Sequence, residues 1–289
     1  IRMVSYGVIV VDNASSDGTV EIIKQNFAGT VELILNTENR GFVGGNNIGI
    51  GQALKGDCDA VVLLNQDTEV EYYWLAHLVQ AANDEKVGIV QAMLLLADER
   101  ALTNNIGNAM HYLGFGFIKH YRERVDSWYH RVPFEIGYAS GAAMLIKREV
   151  LEKLALAPPP ATLRVASRAG LTPTLFNPLF FMYHEDLDLC WRARLGGYKI
   201  MIAPQAIAYH HYEFSRNQRM FYWTERNRWV CLLQNYSVAT LFKLAPMLIL
   251  MEIMMLAYSL SGGWLGLKLR SYAWLIKYFG LIKRGRQRV

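Results

Sequence analysis

Polar side chains able to hold a metal ion follow an apolar run in the first quarter of the sequence. Ala60–Leu64 leads directly into Asn65, Gln66 and Asp67. An uninterrupted apolar run that ends in polar residues predicts a strand buried on both faces, as in parallel sheets. Open α/β sheets bind ligands at the carboxyl ends of their strands, where Asp67 could hold a divalent cation and, through it, a diphosphate. The alternative is that Asp67 caps the helix predicted at Tyr72–Ala82, and this stretch alone does not decide between the two roles.

A second group of ionisable residues begins at Glu185. If a helix begins there, Glu185, Asp188 and Arg192 share one of its faces. Arg192 then pairs with Asp188, a contact worth about 0.2–0.5 kcal/mol if it is exposed. Asp186 lies about 100° around the helix, outside this pair, so it could act as a general base. The alternative is that Glu185 and Asp186 only complement the helix dipole.

Two histidines, His210 and His211, follow a predicted strand that Pro204 divides into Lys199–Ala203 and Ala206–Tyr209. A lone histidine is more often structural than a metal ligand. Two of them at a strand end, with carboxylates upstream, make a ligand and a structural role equally tenable.

The elements that position these residues alternate between strands and helices. Apolar runs predict strands at Val8–Val11, Val31–Leu35 and Val87–Leu96. A predicted helix follows each of the first two strands. This alternation predicts an α/β fold with a doubly wound, mostly parallel sheet. Further along, a proline-rich loop is predicted at Ala155–Leu175 and an aromatic, charged helix at Phe214–Asn235.

A glycine-rich segment, Gly41–Asn47, follows the strand at Val31–Leu35 and opens a helix. It contains no Gly-x-Gly-x-x-Gly, which argues against a dinucleotide-dependent oxidoreductase. The remaining expectation is that backbone N–H groups at the helix start bind an anion or a nucleotide.

Composition describes a folding chain with an uneven charge distribution. Of 289 residues, 52% are hydrophobic and 19% charged, which excludes a disordered chain. The three cysteines are far apart in the sequence, which predicts a reducing compartment and no disulfide framework. Seven basic residues and no acidic ones follow Glu252, so the net charge of +5 falls to about −2 without them (5 − 7). A basic tail after an apolar stretch predicts contact with an anionic membrane surface and not with nucleic acid.

The apolar stretch Leu244–Leu267 contains a single charged residue, Glu252. Its length could span a bilayer, but a glutamate at mid-bilayer costs about 2–3 kcal/mol. An amphipathic helix lying in the membrane interface, anchored by aromatic residues such as Trp264 and Trp274, is the alternative.

Five segments taken together resemble the family-2 glycosyltransferases of the GT-A fold, especially their rhamnosyltransferase-like branch. They occur in the family's order over roughly residues 7–235, and they are Val10–Thr19, Asn39–Gly49, Leu63–Thr68, Phe181–Arg192 and Tyr209–Arg216. The resemblance implies an inverting enzyme that uses a nucleotide-sugar donor and a divalent cation, Mg²⁺ or Mn²⁺.

The resemblance also implies roles for single residues. Asp12 is expected to contact the nucleobase, with Asn39 nearby. Asn65 replaces the first aspartate of the family's Asp-x-Asp and Asp67 remains as the metal ligand. Asp186 is expected to be the catalytic base. His210 is expected to be a second metal or diphosphate contact, although His211 stays open for that role.

The expected organisation is a GT-A domain over residues 1–235 followed by a helical, membrane-associated basic tail over residues 236–289. The chain starts where the family has its second strand, so the sheet is expected to lack its first strand. The expected function is transfer of a sugar, rhamnose by branch resemblance, to a hydroxyl of a glycan or lipid-linked acceptor. This reaction would belong to cell-envelope polysaccharide synthesis at the cytoplasmic face of the cell membrane.

Two other functions remain compatible with these residues. One is an inactive sugar-nucleotide-binding relative or fragment with a membrane-scaffolding role. The other is a nucleotidyltransferase, which would release pyrophosphate and would not require Asp186.

Overall fold

The computed structural model describes residues 4–156, 174–211 and 218–286, which form an α/β fold. Its strands are β1 (Val8–Asp12), β2 (Val31–Leu35), β3 (Ala60–Leu64), β4 (Thr68–Val70), β5 (Val87–Leu96), β6 (Thr103–Asn105), β7 (Asn108–Met110), β8 (Gly116–Ile118), β9 (Phe134–Glu135), β10 (Ala143–Lys147) and β11 (Lys199–His210). Its helices are α1 (Thr19–Asn26), α2 (Gly41–Ala53), α3 (Trp74–Ala81), α4 (Arg148–Lys153), α5 (Glu185–Leu195), α6 (Gln218–Asn235), α7 (Val238–Ser261), α8 (Leu265–Lys277) and α9 (Phe279–Arg286). The predicted α/β class is thereby confirmed.

The central sheet has the strand order β3-β10-β5-β11-β4, with β6 added to β5 and β9 to β11. It is mixed and not mostly parallel, because β10 runs antiparallel to both β3 and β5, whereas β11 runs parallel to β5. An apolar run shows only that a strand is covered on both faces, so its direction could not be predicted from the sequence. β1 and β2 form a separate parallel pair that α2 covers.

The core lies on both faces of β5, whose ten residues are all buried. Ile89, Met93 and Leu95 belong to the larger apolar cluster, which includes α5 and part of α6. Val90 and Leu94 point to the opposite face and pack in the cluster that contains α3. This alternation is the period of two expected of a strand.

β11 is one continuous strand and not the two that Pro204 predicted. Its register against β5 shifts between Ala203 and Ile207. A bulge there takes up the proline, which cannot donate a ladder hydrogen bond, without ending the strand.

Two other predicted segments lie wholly or partly outside the described residues. Most of the predicted loop Ala155–Leu175 does so, and so does the start of the predicted helix Phe214–Asn235, which is observed from Gln218. The stretch Ala97–Pro133, which carries no clear pattern in the sequence, contains β6, the antiparallel pair β7–β8 and a 3-10 turn at Val125–Ser127.

The C-terminal helices α8 and α9 pack against α6, and α7 packs against α8. α7 begins at the cap Ser237, whose side-chain oxygen accepts the Thr240 N–H at 3.1 Å. Among the helices in the described ranges, α7 is the one long and apolar enough to cross a membrane.

Candidate active site

The turn that follows β3 carries Asn65, Gln66 and Asp67 at the edge of the central sheet. The Asn65 N–H donates to the Ala142 carbonyl at 2.9 Å, and the Thr68 hydroxyl donates to the Asn65 carbonyl at 2.6 Å. Asp67 lies in this turn before β4, whereas the cap of α3 is Tyr73. Asp67 is therefore not a helix cap, which leaves its carboxylate available for a ligand.

The pairing of β4 with β11 brings His210 to Asp67. Thr68 lies opposite His210 in the antiparallel register, so the ends of the two strands meet. His210 Nε2 is 3.4 Å from Asp67 Oδ1. The neighbouring His211 has its Nε2 3.1 Å from Glu69 Oε1 on the exposed side of β4. Of the two histidines, His210 is the one that faces Asp67.

The electrostatics of this pair favour a neutral imidazole. Burial lowers the pKa of His210, an effect that the nearby Asp67 carboxylate opposes without reversing. His210 Nδ1 lies 3.1 Å from the amide oxygen of Asn104, which assigns the proton to Nδ1 and the lone pair to Nε2. Asp67 Oδ1 is buried, and apart from His210 no polar partner in the described ranges reaches it. An imidazole nitrogen and a carboxylate oxygen that face each other suit a bound cation.

Protein ligands for such a cation are few in this part of the molecule. Within residues 4–156, 174–211 and 218–286, no three His, Cys, Asp or Glu side chains converge as a metal-binding group. Mg²⁺ is commonly held by one or two protein carboxylates, with water and substrate phosphates completing its shell. Asp67 and His210 fit that kind of site.

Asp186 lies in the first turn of α5 and is partly buried. Its Oδ1 accepts the Leu187 N–H at 2.7 Å, and its Oδ2 accepts the Gly141 N–H at 3.4 Å. Burial raises the pKa of Asp186 to about 6, although these backbone N–H groups lower it in part. Gly141 precedes Ala142, which binds Asn65, so one short segment joins Asp186 to the turn that carries Asp67.

The other acidic residues of α5, Glu185 and Asp188, are buried in the protein interior. Asp188 and Arg192 form the expected pair at 2.9 Å, but their side chains are only 1% and 4% exposed. Asp188 also accepts from Asn235 at 3.0 Å, so this pair anchors α5 to α6. Glu185 is buried, and burial followed by the charge of Asp186 raises its pKa.

Sequence reasoning missed the residue that holds the backbone before α5. Tyr183 and His184 have φ of 66° and 67°, which is strained for non-glycine residues. Asn227 of α6 donates from Nδ2 to the Met182 carbonyl at 2.9 Å and to the Tyr183 carbonyl at 2.7 Å. It thereby fixes the turn that presents Asp186. The one signal in the sequence was an amide side chain next to Arg226 in an aromatic helix. Aromatic residues occur all around α6, so the sequence does not show which face of the helix is buried.

Of the two expected nucleobase contacts, Asp12 is the last residue of β1, and Asn39 lies in the segment between β2 and α2. The buried Asp12 accepts the Ser15 N–H on Oδ2 at 3.1 Å. Asn39 Oδ1 accepts the Gly41 N–H at 2.8 Å. Asn13 donates to the Gly41 carbonyl at 3.0 Å, which links the end of β1 to the start of α2.

The start of α2 is not the open anion site that the sequence predicted. The Gly41 N–H is bound by Asn39, and the Val43 N–H donates to the Phe181 carbonyl at 3.2 Å. Gly41 has φ +66°, and a Cβ there would overlap the Phe181 carbonyl. The glycine therefore permits close contact between α2 and the segment that precedes α5.

A family model described as glycosyltransferase-like family 2 matches residues 2–231 of the chain. A hexosyltransferase of low-salt glycan biosynthesis, Agl10 of Haloferax volcanii, is 25% identical over 197 residues, which are 64% of this chain and 52% of that protein. The uncharacterised protein y4gI of Sinorhizobium fredii is 26% identical over 227 residues, 73% of this chain and 22% of that protein. The chain thus spans about half the length of the first relative and about a fifth of the second.

Among solved structures, that of GalNAc-T7 with UDP, GalNAc and Mn²⁺ superposes with a TM-score of 0.54 at 15% identity. The superposition covers 79% of this chain and 41% of that one. At this identity the likeness is one of fold, and it confirms the predicted GT-A class.

Proposed function

Because the chain belongs to glycosyltransferase-like family 2, we propose that it is an inverting, metal-dependent glycosyltransferase that uses a nucleotide-diphosphate sugar as donor. The observation that carries the proposal is the environment of Asp186. This carboxylate stands apart from the Asp188–Arg192 ion pair, has a pKa of about 6, and is joined by Gly141 and Ala142 to the turn that carries Asp67.

Asp67 and His210 would hold Mg²⁺ or Mn²⁺ at the carboxyl end of the sheet. A cation bound there neutralises the charge that develops on the departing diphosphate. Asn65, at the start of the same turn, would orient the donor. Asp12 at the end of β1 and Asn39 in the segment between β2 and α2 would contact its nucleobase.

Asp186 would accept the proton of the acceptor hydroxyl. The hydroxyl oxygen then bonds to the anomeric carbon as the bond from that carbon to the diphosphate oxygen breaks, and the nucleoside diphosphate leaves. A single displacement of this kind inverts the anomeric configuration. A base with a pKa of about 6 is mostly ionised at neutral pH yet more basic than an ordinary carboxylate, as this proton transfer requires.

The sugar and the acceptor are proposed on narrower grounds. The name of the Haloferax relative supports a hexosyl donor and a glycan acceptor. Rhamnose is proposed from the branch resemblance alone. The apolar helix α7 and the basic residues after it support a lipid-linked acceptor at the cytoplasmic face of the membrane.

A donor panel tests the proposal. The detergent-solubilised chain is incubated with nucleotide sugars, a glycan or lipid-linked acceptor and Mn²⁺ or EDTA, while nucleoside diphosphate release is followed and the product linkage is assigned by NMR. We expect one sugar class to be transferred with inversion and EDTA to stop the reaction. Retained configuration, transfer in EDTA or release of pyrophosphate would each contradict it.

A further inference from the structure

The outward face of α7 is apolar except for the exposed Lys243. Its exposed large side chains lie on one broad arc, because residues three, four and seven apart share a helix face. They are Val238, Phe242, Met247, Ile249, Leu250, Ile253, Met254, Tyr258 and Leu260. A continuous apolar surface of this extent marks a contact with another apolar phase or partner.

The inward face of α7 is held to the protein by a buried cluster of four charges, defined here as Glu225, Arg228, Glu252 and Lys268. Lys268 Nζ is 2.8 Å from Glu252 and also contacts Glu225. Arg228 is 3.1 Å from Glu225 and also contacts Glu252. Two acids and two bases from α6, α7 and α8 therefore neutralise one another in the interior.

Glu252 is thus not a charge that α7 would present to lipid. Its carboxylate also accepts the Trp229 indole N–H at 3.1 Å and contacts the Tyr272 hydroxyl. Although burial opposes it, contacts with Lys268, Tyr272 and Arg228 hold the pKa of Glu252 below its ordinary value. The residue that weakened the membrane assignment in the sequence instead ties α7 to the folded domain.

The exposed side of α8 joins apolar residues to cations. Leu269 and Ile276 are exposed on one flank, and Arg270 and Lys277 are exposed beside them. Lys243 is exposed on α7. Glu252 is the sole acidic residue after Glu225, so this surface is apolar and positive. Those are the properties of a helix that lies in an anionic membrane interface.

We propose that α7 and α8 form a docking face that lies in the plane of an anionic bilayer, and that the four-charge cluster keeps α7 from crossing it. This extends the membrane location in the proposed function and names the lipid surface as partner. α7 has 24 residues, about 36 Å of helix, which would be long enough to span. Spanning would pull Glu252 away from Arg228 and Lys268 and leave these two buried cations with a single carboxylate, Glu225, so the in-plane position is favoured.

Vesicle sedimentation tests the docking face without any donor, so its result is independent of sugar transfer. The full chain is mixed with vesicles of phosphatidylcholine, with or without phosphatidylglycerol. We expect binding to the anionic vesicles that decreases at least tenfold in Ile249→Glu/Ile253→Glu. The matched double variant Ile22→Glu/Val132→Glu, at exposed positions outside these helices, should bind as the parent does. Equal vesicle binding by both variants would overturn the proposal. So would a parent protein that forms a soluble dimer and does not bind vesicles.

Cysteine labelling at both ends of α7 distinguishes a helix that lies in the plane of the membrane from one that spans it. In a Cys58→Ser background, in which Cys190 and Cys231 are buried, cysteine is placed at the exposed Ala239 or Ser261. A membrane-impermeant maleimide added outside sealed vesicles should label both positions equally. If one end reacts only after detergent is added, α7 spans and the proposal is wrong.

Discussion

In the proposed reaction Asp186 accepts the proton, and its partly buried position sets the pH at which it can act. The base is the ionised form, so activity should rise with pH through the pKa of about 6 and level off above it. At saturating donor and Mn²⁺, we expect kcat to fall by roughly tenfold per pH unit below that value. A kcat that stays flat from pH 5 to pH 8 would mean that Asp186 is not the base.

The same burial predicts a stability effect at Asp186. Its pKa of about 6 in the folded protein exceeds the ordinary 3.8. The contribution of Asp186 to the stability of the fold is therefore fully present below pH 3.8 and is lost as the pH rises through 6. At pH 8, Asp186→Asn should raise the free energy of unfolding by up to about 3 kcal/mol, less about 1 kcal/mol for one lost backbone hydrogen bond.

Urea unfolding at pH 8 and pH 4 measures this difference. The gain at pH 8 should shrink at pH 4. The control Asp126→Asn alters an exposed carboxylate paired with Arg124 and should change stability by less than about 0.5 kcal/mol. A variant less stable than the parent at pH 8 would show that the carboxylate is not penalised by burial.

At the scale of elements, α6 positions α5 through Asn227. In Asn227→Asp the amide nitrogen Nδ2, which donates both hydrogen bonds, is replaced by a carboxylate oxygen that faces the carbonyls of Met182 and Tyr183. We expect the turn before α5 to shift and kcat to fall by roughly 10–100-fold, because misplacing a catalytic group by about 1 Å has an effect of this size. KM for the donor should change little, since the proposed donor contacts lie on other elements.

Steady-state kinetics and thermal unfolding check this effect together. Thr224→Val on the same helix removes only hydroxyl contacts to Met220 and Phe221 within α6 and should keep kcat. If Asn227→Asp raises KM and leaves kcat intact, α6 acts on the donor and not on the base.

Local patterns predicted those elements whose identity depends on their own residues. β2 and β5 have the predicted limits, and α5 begins at Glu185 as expected. The direction of β10 and the continuity of β11 through Pro204 depend on neighbouring strands, which no local pattern encodes. The occupied N–H groups at the start of α2 likewise depend on Phe181, far along the chain.

The site was predictable to a similar extent. Apolar runs placed Asp67 and His210 at strand ends, but their contact follows from the register between β4 and β11. Helix geometry correctly placed Asp186 outside the Asp188–Arg192 pair. It did not predict that this pair is buried. Asn227 was missed because its two carbonyl partners are distant in the sequence.

At the scale of the whole molecule, the four-charge cluster joins α7 and α8 to α6. Glu252→Gln would leave Arg228 and Lys268 with one carboxylate, Glu225, in a buried position. We expect the free energy of unfolding to fall by about 3–5 kcal/mol. Denaturation in detergent at pH 7 measures it, with the exposed Glu149→Gln as control. A loss below about 1 kcal/mol would show that the cluster does not hold these helices.

The central claim is a division of labour between Asp67, which binds the donor through a cation, and Asp186, which moves the proton. The most direct measurement is donor affinity by calorimetry in Mn²⁺, paired with turnover, on Asp67→Ala and Asp186→Asn. Asp67→Ala should lose Mn²⁺-dependent donor binding. Asp186→Asn should keep it while turnover falls by at least ~100-fold. Unchanged donor affinity in Asp67→Ala, or near-normal turnover in Asp186→Asn, would contradict the account.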